Sequence, residues 1–413
     1  MKILLINSHH KPDGGTERYY FDLSKLLKSK GHKIAYFSML DLKNEKTIWK
    51  RFFVSNIDFD IGGIGSMIRK LGRMFYSWES KKKIAQLLDD FKPDIVHINN
   101  IYFYISPSIL GEIKKRGIPI VQTVHDYQLI SPNIILFYKG RICEITKKHR
   151  YYKTFLNRNV KGSYIASLMA VIASYTQHIF RFYERHIDLF IAPSTFMRNK
   201  MIEYGIDQNK IVVFPNFVYP PRKYVISSKG KYVFYFGRFN EHKGVLFLLK
   251  LAKECPHINI KMMGKYADRN VEIKIKDYLR SGSGNLEVIA HQRRTILNKY
   301  IRNSSFVVVP SQWYENQPYS ILETFAQGKT VVATNIGGIP EMVQDGKNGL
   351  LFEPGNINQF IQKATKLWND PVLAKKFGQR ARNLVSEKYN PELYYKKILV
   401  VYDGFLKKRK LIV

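Results

Sequence analysis

Short β-branched runs alternate with helical patterns along this chain, stop once, and start again. That rhythm restricts the fold more than any single motif does. In the first half the runs occupy residues 2–7, 33–38, 94–98, 119–124, 189–192 and 210–214, and helical patterns such as 16–30, 81–91 and 108–116 lie between them. The passage Pro215-Asn216-Phe217-Val218-Tyr219-Pro220-Pro221 fits neither period, because proline lacks a backbone donor and fixes φ. Beyond it the runs return at 232–236, 259–263, 286–289, 306–310 and 330–334, with helical patterns at 244–255, 295–303 and 319–327. Two consecutive βαβ arrays predict an α/β protein of two doubly wound parallel-sheet domains, 1–222 and 223–390, each sheet covered by helices on both faces. Ligands of such sheets sit at the carboxyl ends of the strands, and the natural cleft of a two-domain version lies between the domains.

At 413 residues and 45% hydrophobic composition the chain has material for two cores, which excludes an intrinsically disordered protein. Its only cysteines, Cys143 and Cys255, exclude a disulfide framework and a zinc site built from several thiolates. The formal charge is +34, shared as +17 on residues 1–222 and +17 on the remainder. An excess on both halves calls for an anionic partner. The apolar start Met1-Lys2-Ile3-Leu4-Leu5-Ile6-Asn7 is too short for a signal peptide and reads as a strand. Residues 162–180 are free of Lys, Arg, Asp and Glu and match a membrane span in length. Ser163, Ser167, Ser174, Thr176, Gln177 and His178 within it argue against a lipid-facing helix. A cytoplasmic protein is expected.

Gly237-Arg238-Phe239-Asn240-Glu241-His242-Lys243-Gly244 directly follows the strand at 232–236. It places a planar guanidinium and an ammonium in a strand-to-helix loop, an arrangement suited to phosphate or to surface charge alike. Glu315 and Glu323 are eight apart in Pro310-Ser311-Gln312-Trp313-Tyr314-Glu315-Asn316-Gln317-Pro318-Tyr319-Ser320-Ile321-Leu322-Glu323. On one continuous helix they would diverge by about 80°. Pro318 and Gly328 instead bound a separate helix, leaving Glu315 in the preceding loop and Glu323 on the second turn. Such carboxylates suit a vicinal diol. Gly337-Gly338-Ile339-Pro340-Glu341 again leads from a strand into a helix, and Asn348-Gly349-Leu350-Leu351-Phe352 returns as a short strand.

In this order the motifs resemble those of retaining glycosyltransferase family 4, whose members have the GT-B fold of two Rossmann-like domains facing across a cleft. The resemblance covers nearly the whole chain. It implies that Arg238 and Lys243 hold a donor diphosphate, that Glu323 binds the donor ribose, and that Glu315 contacts the sugar, with Asn316, Tyr319 and Ser320 beside them. It also implies retention of anomeric configuration, no cofactor and no metal.

In the first half, Gly14 and Gly15 precede a helix within Pro12-Asp13-Gly14-Gly15-Thr16-Glu17-Arg18 and let backbone amides approach a ligand. The resemblance places this loop, with Gly237, among the donor-binding elements. His125-Asp126-Tyr127 ends the strand at 119–124. There the resemblance implies that His125 bonds the transferred sugar, so that His125, Glu315, Arg238 and Lys243 form the catalytic set. The final helical pattern, from Glu392, is expected to cross back as part of a segment 391–413 packed on the first domain. Some relatives carry a Cys-x2-Cys start in the insertion where this chain keeps only Cys143, with Thr146 in the partner's place.

Residues 139–161 contain eight basic side chains, one acid (Glu144), and Tyr151, Tyr152 and Phe155 interleaved. Cations with aromatics suit an anionic bilayer surface, single-stranded nucleic acid, or a solvated loop. The following segment, 163–180, is expected to pack on the domain or lie at the membrane surface. Asp58-Phe59-Asp60 and Gly62-Gly63-Ile64-Gly65 lack the context of a nucleotide site, Lys81-Lys82-Lys83 reads as the exposed face of a helix, and Lys407-Lys408-Arg409-Lys410 is either an addition to membrane affinity or an ordinary charged terminus.

The expected activity is transfer of a hexosyl-type sugar from a nucleotide diphosphate sugar to a hydroxyl of a glycolipid or polysaccharide acceptor. The first domain would bind acceptor and the second donor, near an anionic membrane and without nucleic acid. The alternatives are a scaffold that binds anionic polymer without turnover, and a nucleotide-sugar epimerase.

Overall fold

The computed structural model describes residues 1–12, 14–57, 72, 76–221, 230–282 and 284–410. Asp58–Asp60, Gly62–Gly65 and the expected 222/223 boundary lie outside the described residues. The described strands, in chain order, are β1 (Lys2–Ile6), β2 (Lys33–Phe37), β3 (Ile95–Ile98), β4 (Ile120–Thr123), β5 (Phe137–Tyr138), β6 (Arg141–Ile142), β7 (Leu189–Ala192), β8 (Ile211–Val213), β9 (Val233–Phe239), β10 (Ile260–Tyr266), β11 (Leu286–Ala290), β12 (Phe306–Val309), β13 (Val331–Thr334) and β14 (Gly349–Phe352). They fall into two compact units. The first comprises Met1–Ile135, Glu144–Phe214 and Tyr394–Val413, the second Leu136–Cys143 and Pro215–Leu393.

In the first unit six strands pair in the order β2-β1-β3-β4-β7-β8, all parallel. β1 is buried from Ile3 through Ile6, and β3 and β4 are buried throughout. That explains why these strands read as mostly apolar runs, since helices leave neither face of the sheet to water, and the polar His97, Gln122 and Thr123 are buried with them. From Tyr394 onward the helix Pro391–Lys410 belongs to this unit, and its Tyr402 and Tyr394 reach buried groups near β3 and β4.

In the second unit the order is β11-β10-β9-β12-β13-β14, again parallel. Alternate residues divide between two apolar layers. Val233, Tyr235, Met262 and Val308 face a core shared with the helix Leu246–Glu254, while Phe234, Met263, Val307 and Val309 face one shared with the helix Tyr319–Ala326. The order reverses between β9 and β12, each built outward to opposite sides. At such a switch point the following loops diverge and leave a crevice at the carboxyl edge. The short hairpin β5–β6 groups with this unit through Ile142, which packs on its core.

One expectation about local structure is corrected. Gly237 and Arg238 were expected in a loop after residue 236, yet β9 continues to Phe239, because β10 extends alongside it with Arg238 opposite Lys265. Lys243-Gly244 likewise closes a three-residue 3-10 turn, Glu241–Lys243, and the α-helix begins only at Leu246.

Candidate functional site

At the carboxyl edge of the second sheet, two glycines bring three loops into contact. Gly244 has φ of 68°, and a Cβ there would lie 1.7 Å from the Pro310 carbonyl oxygen, so only glycine lets the loop after β9 close onto the loop after β12. Gly337, with φ of 62°, would place a Cβ 2.3 Å from the Glu315 carbonyl oxygen, which also accepts the Gly338 N–H at 2.7 Å. The glycine motifs therefore serve first to dock loops.

Docking places Lys243 against Glu315. Lys243 Nζ donates to Glu315 Oε1 at 2.6 Å, and the same oxygen accepts Ser311 Oγ at 2.7 Å and Trp313 Nε1 at 2.9 Å. The Lys243 ammonium also lies 4.7 Å from the Trp313 ring centroid, within cation–π range. Burial by itself would push the Glu315 carboxyl up. The Lys243 charge and the hydrogen bonds from Lys243, Ser311 and Trp313 outweigh it and hold the group below its ordinary range. Glu315 is thus a buried, ionised anchor. Lys243 keeps 21% of its side chain exposed against 7% for Glu315, so the ammonium is the partner that reaches solvent.

Around this pair, Gly237 and Arg238 are exposed at the end of β9. Asn316 is buried beside Glu315, and Tyr319 and Ser320 form the half-buried first turn of the helix Tyr319–Ala326. Glu323 lies on the second turn, its Oε1 3.7 Å from Arg294 Nε. Asn348 caps a turn, donating to the Met342 carbonyl and accepting the Gln344 N–H. Sequence reasoning missed Ser311, Trp313 and Arg294. The first two stood inside the quoted motif, but only the fold aims them at Glu315.

The first unit's carboxyl edge is of another kind. Gly14 and Gly15 are exposed where the helix Gly15–Ser29 begins, and the Gly14 carbonyl accepts the Arg18 N–H. His125 follows β4, with Nε2 3.0 Å from Asn99 Oδ1 and its ring 5.0 Å from that of Tyr19. Behind it, fully buried His97 joins Tyr402 Oη at 2.6 Å through Nδ1 and Thr123 Oγ1 at 2.8 Å through Nε2. Thr123 meets Tyr19 Oη at 2.9 Å, and Tyr19 bonds Tyr394. Burial holds His125 and His97 neutral, both pulled down to about 3. Asp126 is pushed up to about 6 by burial, opposed by the Gln128 N–H it accepts. Sequence reasoning named His125 and missed Asn99, His97 and Tyr19.

Among the described residues no group of His, Cys, Asp and Glu is gathered as metal ligands would be. No helix among them is long and apolar enough to cross a membrane.

Comparison with known proteins identifies the family. A family model described as Glycosyltransferase Family 4 matches residues 13–222, and one described as Glycosyl transferases group 1 matches residues 221–384. An uncharacterised glycosyltransferase of Methanocaldococcus jannaschii is 26% identical over 75% of this chain and 83% of its own length. The capsular polysaccharide biosynthesis glycosyltransferase CapM of Staphylococcus aureus is 21% identical over 71% of this chain and 77% of its own. Among solved structures, Anabaena HepE in complex with UDP superposes with a TM-score of 0.68 at 16% identity, covering 98% of this chain and 100% of that one. With both halves matched and both sheets accounted for, the chain belongs to the group 1 glycosyltransferases of family 4 and has their GT-B fold.

Proposed function

We propose that this glycosyltransferase moves a hexosyl-type sugar from a nucleoside diphosphate sugar to a hydroxyl of a lipid-linked or polysaccharide acceptor, with retention and without a metal. The second unit binds donor and the first binds acceptor. The observation that carries the reading is the Lys243–Glu315 pair at the switch point between β9 and β12. As the glycosidic bond breaks, negative charge grows on the leaving diphosphate. An ammonium already fixed by a buried carboxylate stabilises that charge without having to reorganise. Arg238, exposed on the same edge, adds a planar fork for the second phosphate. Because Glu315 Oε1 already accepts three hydrogen bonds, its contact with the sugar falls to Oε2. Glu323 takes the ribose hydroxyls, and Asn316, Tyr319, Ser320, Gly14, Gly15 and Gly237 line the donor. His125, neutral across the physiological range, bonds the transferred sugar without adding charge beside the reacting carbon. CapM is named for capsular polysaccharide biosynthesis, and together with the charge of +34 this favours an acceptor at the inner face of an anionic membrane.

Titration with UDP, GDP and ADP in the presence of EDTA tests the donor site. UDP leads because HepE was solved with it. One nucleotide should bind metal-free, and Glu323→Ala should weaken it at least about tenfold, the scale of losing hydrogen bonds to a charged acceptor. Binding by none of the three would overturn the reading in favour of a scaffold without turnover. Consumption of a bound nucleotide sugar without acceptor would favour an epimerase.

A further inference from the structure

The helix Tyr164–Phe180 is turned inside out. It buries Ser167, Ala170, Val171 and Ala173 against the first unit, and the Ser167 hydroxyl accepts the Val160 N–H there. Its larger aliphatic side chains point the other way: Ile165 is 57% exposed, Leu168 43%, Ile172 43% and Ile179 66%. At about 100° per residue these four fall within an arc of roughly 60°. They form a single stripe, with Tyr164 and Phe180 exposed at its two ends. An ordinary surface helix does the reverse, putting its large apolar residues on the core.

The stripe is set in positive charge. Between Glu144 and Glu184 the chain has no acidic residue, while it carries Lys148, Arg150, Lys153, Arg158, Lys161 and Arg181, besides Lys147, which pairs with Glu144 and Glu203. The Arg158 guanidinium lies over the Tyr164 ring at 3.9 Å and donates to its hydroxyl at 2.8 Å, which fixes a cation at one end of the stripe. Arg181 is exposed at the other end. Alongside runs the short helix Tyr152–Leu156, with Tyr152 and Leu156 also exposed and the Tyr152 N–H bonded to the Tyr175 hydroxyl.

We infer that this face docks the enzyme in the plane of an anionic lipid bilayer. Ile165, Leu168, Ile172 and Ile179 enter the boundary of headgroups and acyl chains, and the flanking Lys and Arg side chains meet lipid phosphates. An apolar stripe with cationic flanks and aromatic ends matches such a boundary in both hydropathy and charge. A protein partner would match it only by burying these cations against acids. The inference deepens the membrane-facing part of the proposed function and rests on that reading for its purpose; the donor site is independent of it.

The test is co-sedimentation of the full chain with vesicles of phosphatidylcholine alone, or with about 30 mol % phosphatidylglycerol. The wild type should bind the anionic vesicles and bind the neutral ones far less. Leu168→Ser/Ile172→Ser should lower the partition coefficient at least about tenfold. Lys148→Gln/Arg150→Gln should lower it by about fivefold or more, and only on anionic vesicles. These side chains are exposed, so the melting temperature of each variant should stay at the wild-type value and show that it is folded. No vesicle binding overturns the inference. So does a wild type that forms dimers in solution, ignores vesicles and is dispersed by Leu168→Ser/Ile172→Ser, because a second copy then covers the stripe. Equal binding to both vesicle types overturns the anionic part. UDP, GDP and ADP titrations on the same preparations separate the two readings: retained nucleotide binding without vesicle binding removes only the docking face.

Discussion

The carboxyl edges of the two sheets have the same backbone plan and opposite electrostatics. In the second unit a buried carboxylate is kept charged by an ammonium and two neutral donors. In the first, burial keeps the imidazoles neutral, and the hydroxyls of Tyr402, Thr123 and Tyr19 link up behind them. An ionic anchor suits a site where charge develops and must be met at once. A neutral network suits one where an uncharged hydroxyl or sugar ring must be oriented without attracting water or ions. One architecture serves both because the chemistry sits in loops that the sheet merely positions.

Breaking the ionic side should give the largest effect. Lys243→Ala removes the group poised for the leaving diphosphate, and turnover at saturating donor should fall about a hundredfold, the scale of losing one preorganised donor. The variant leaves Glu315 buried without its cation, so a melting curve must accompany the kinetics. Turnover unchanged in a folded variant would remove Lys243 from the proposed site.

A smaller effect separates anchoring from direct contact. Glu315→Gln keeps an acceptor for Ser311 and Trp313 but loses the charge that holds Lys243, and turnover should fall about tenfold. If Glu315 acts through Lys243, adding Glu315→Gln to Lys243→Ala should cost little beyond the single variant, a coupling of roughly 1.4 kcal/mol. Independent losses that multiply would instead remove the anchoring role and leave Glu315 only its Oε2 contact with the sugar.

How much of this was legible in the sequence follows the same divide. The strands were, because parallel strands buried on both faces appear as near-continuous apolar runs, as in Ile3–Ile6 and Phe306–Val309. The placement of Glu323 on a second turn was legible too, since Pro318 and Gly328 punctuate the helix. The hairpin β5–β6 was not, having two residues per strand and therefore no period. The extension of β9 through Arg238 was hidden because it depends on β10 running alongside. The His97 network was beyond reach: its partner Tyr402 is 305 residues away, and a lone His between apolar neighbours gives no sign of it. The exposed stripe was equally invisible, because sequence shows that residues 164–180 are apolar but not which face turns outward.

Titration offers the finest test, and its sign follows from burial. In the first unit His10, His97 and His125 are depressed to about 4, 3 and 3, against an unfolded value near 6.5. Below that value the unfolded chain takes up protons that the folded one refuses. Their stability contribution is therefore complete above about pH 6.5 and is lost as pH falls toward 4 and 3. Asp126 runs the other way. Raised to about 6, it favours the folded state at low pH and loses that contribution as pH rises through 6. His32, His149 and His242 are also depressed and Asp22 is also raised, so the depressed histidines outnumber the raised carboxyls and leave a net fall in stability as pH drops below 6.5. His125→Asn cannot titrate and keeps a side chain able to pair with Asn99. It should make that fall shallower by about one proton, roughly 1.4 kcal/mol per pH unit, in urea unfolding curves taken at pH 7, 6 and 5. The slope is the diagnostic, since the substitution also shifts stability by an amount that does not depend on pH. An unchanged slope would mean that His125 protonates in the folded state, and the contrast between a neutral edge and an ionic one would then fail at the first-unit residue proposed to meet the sugar.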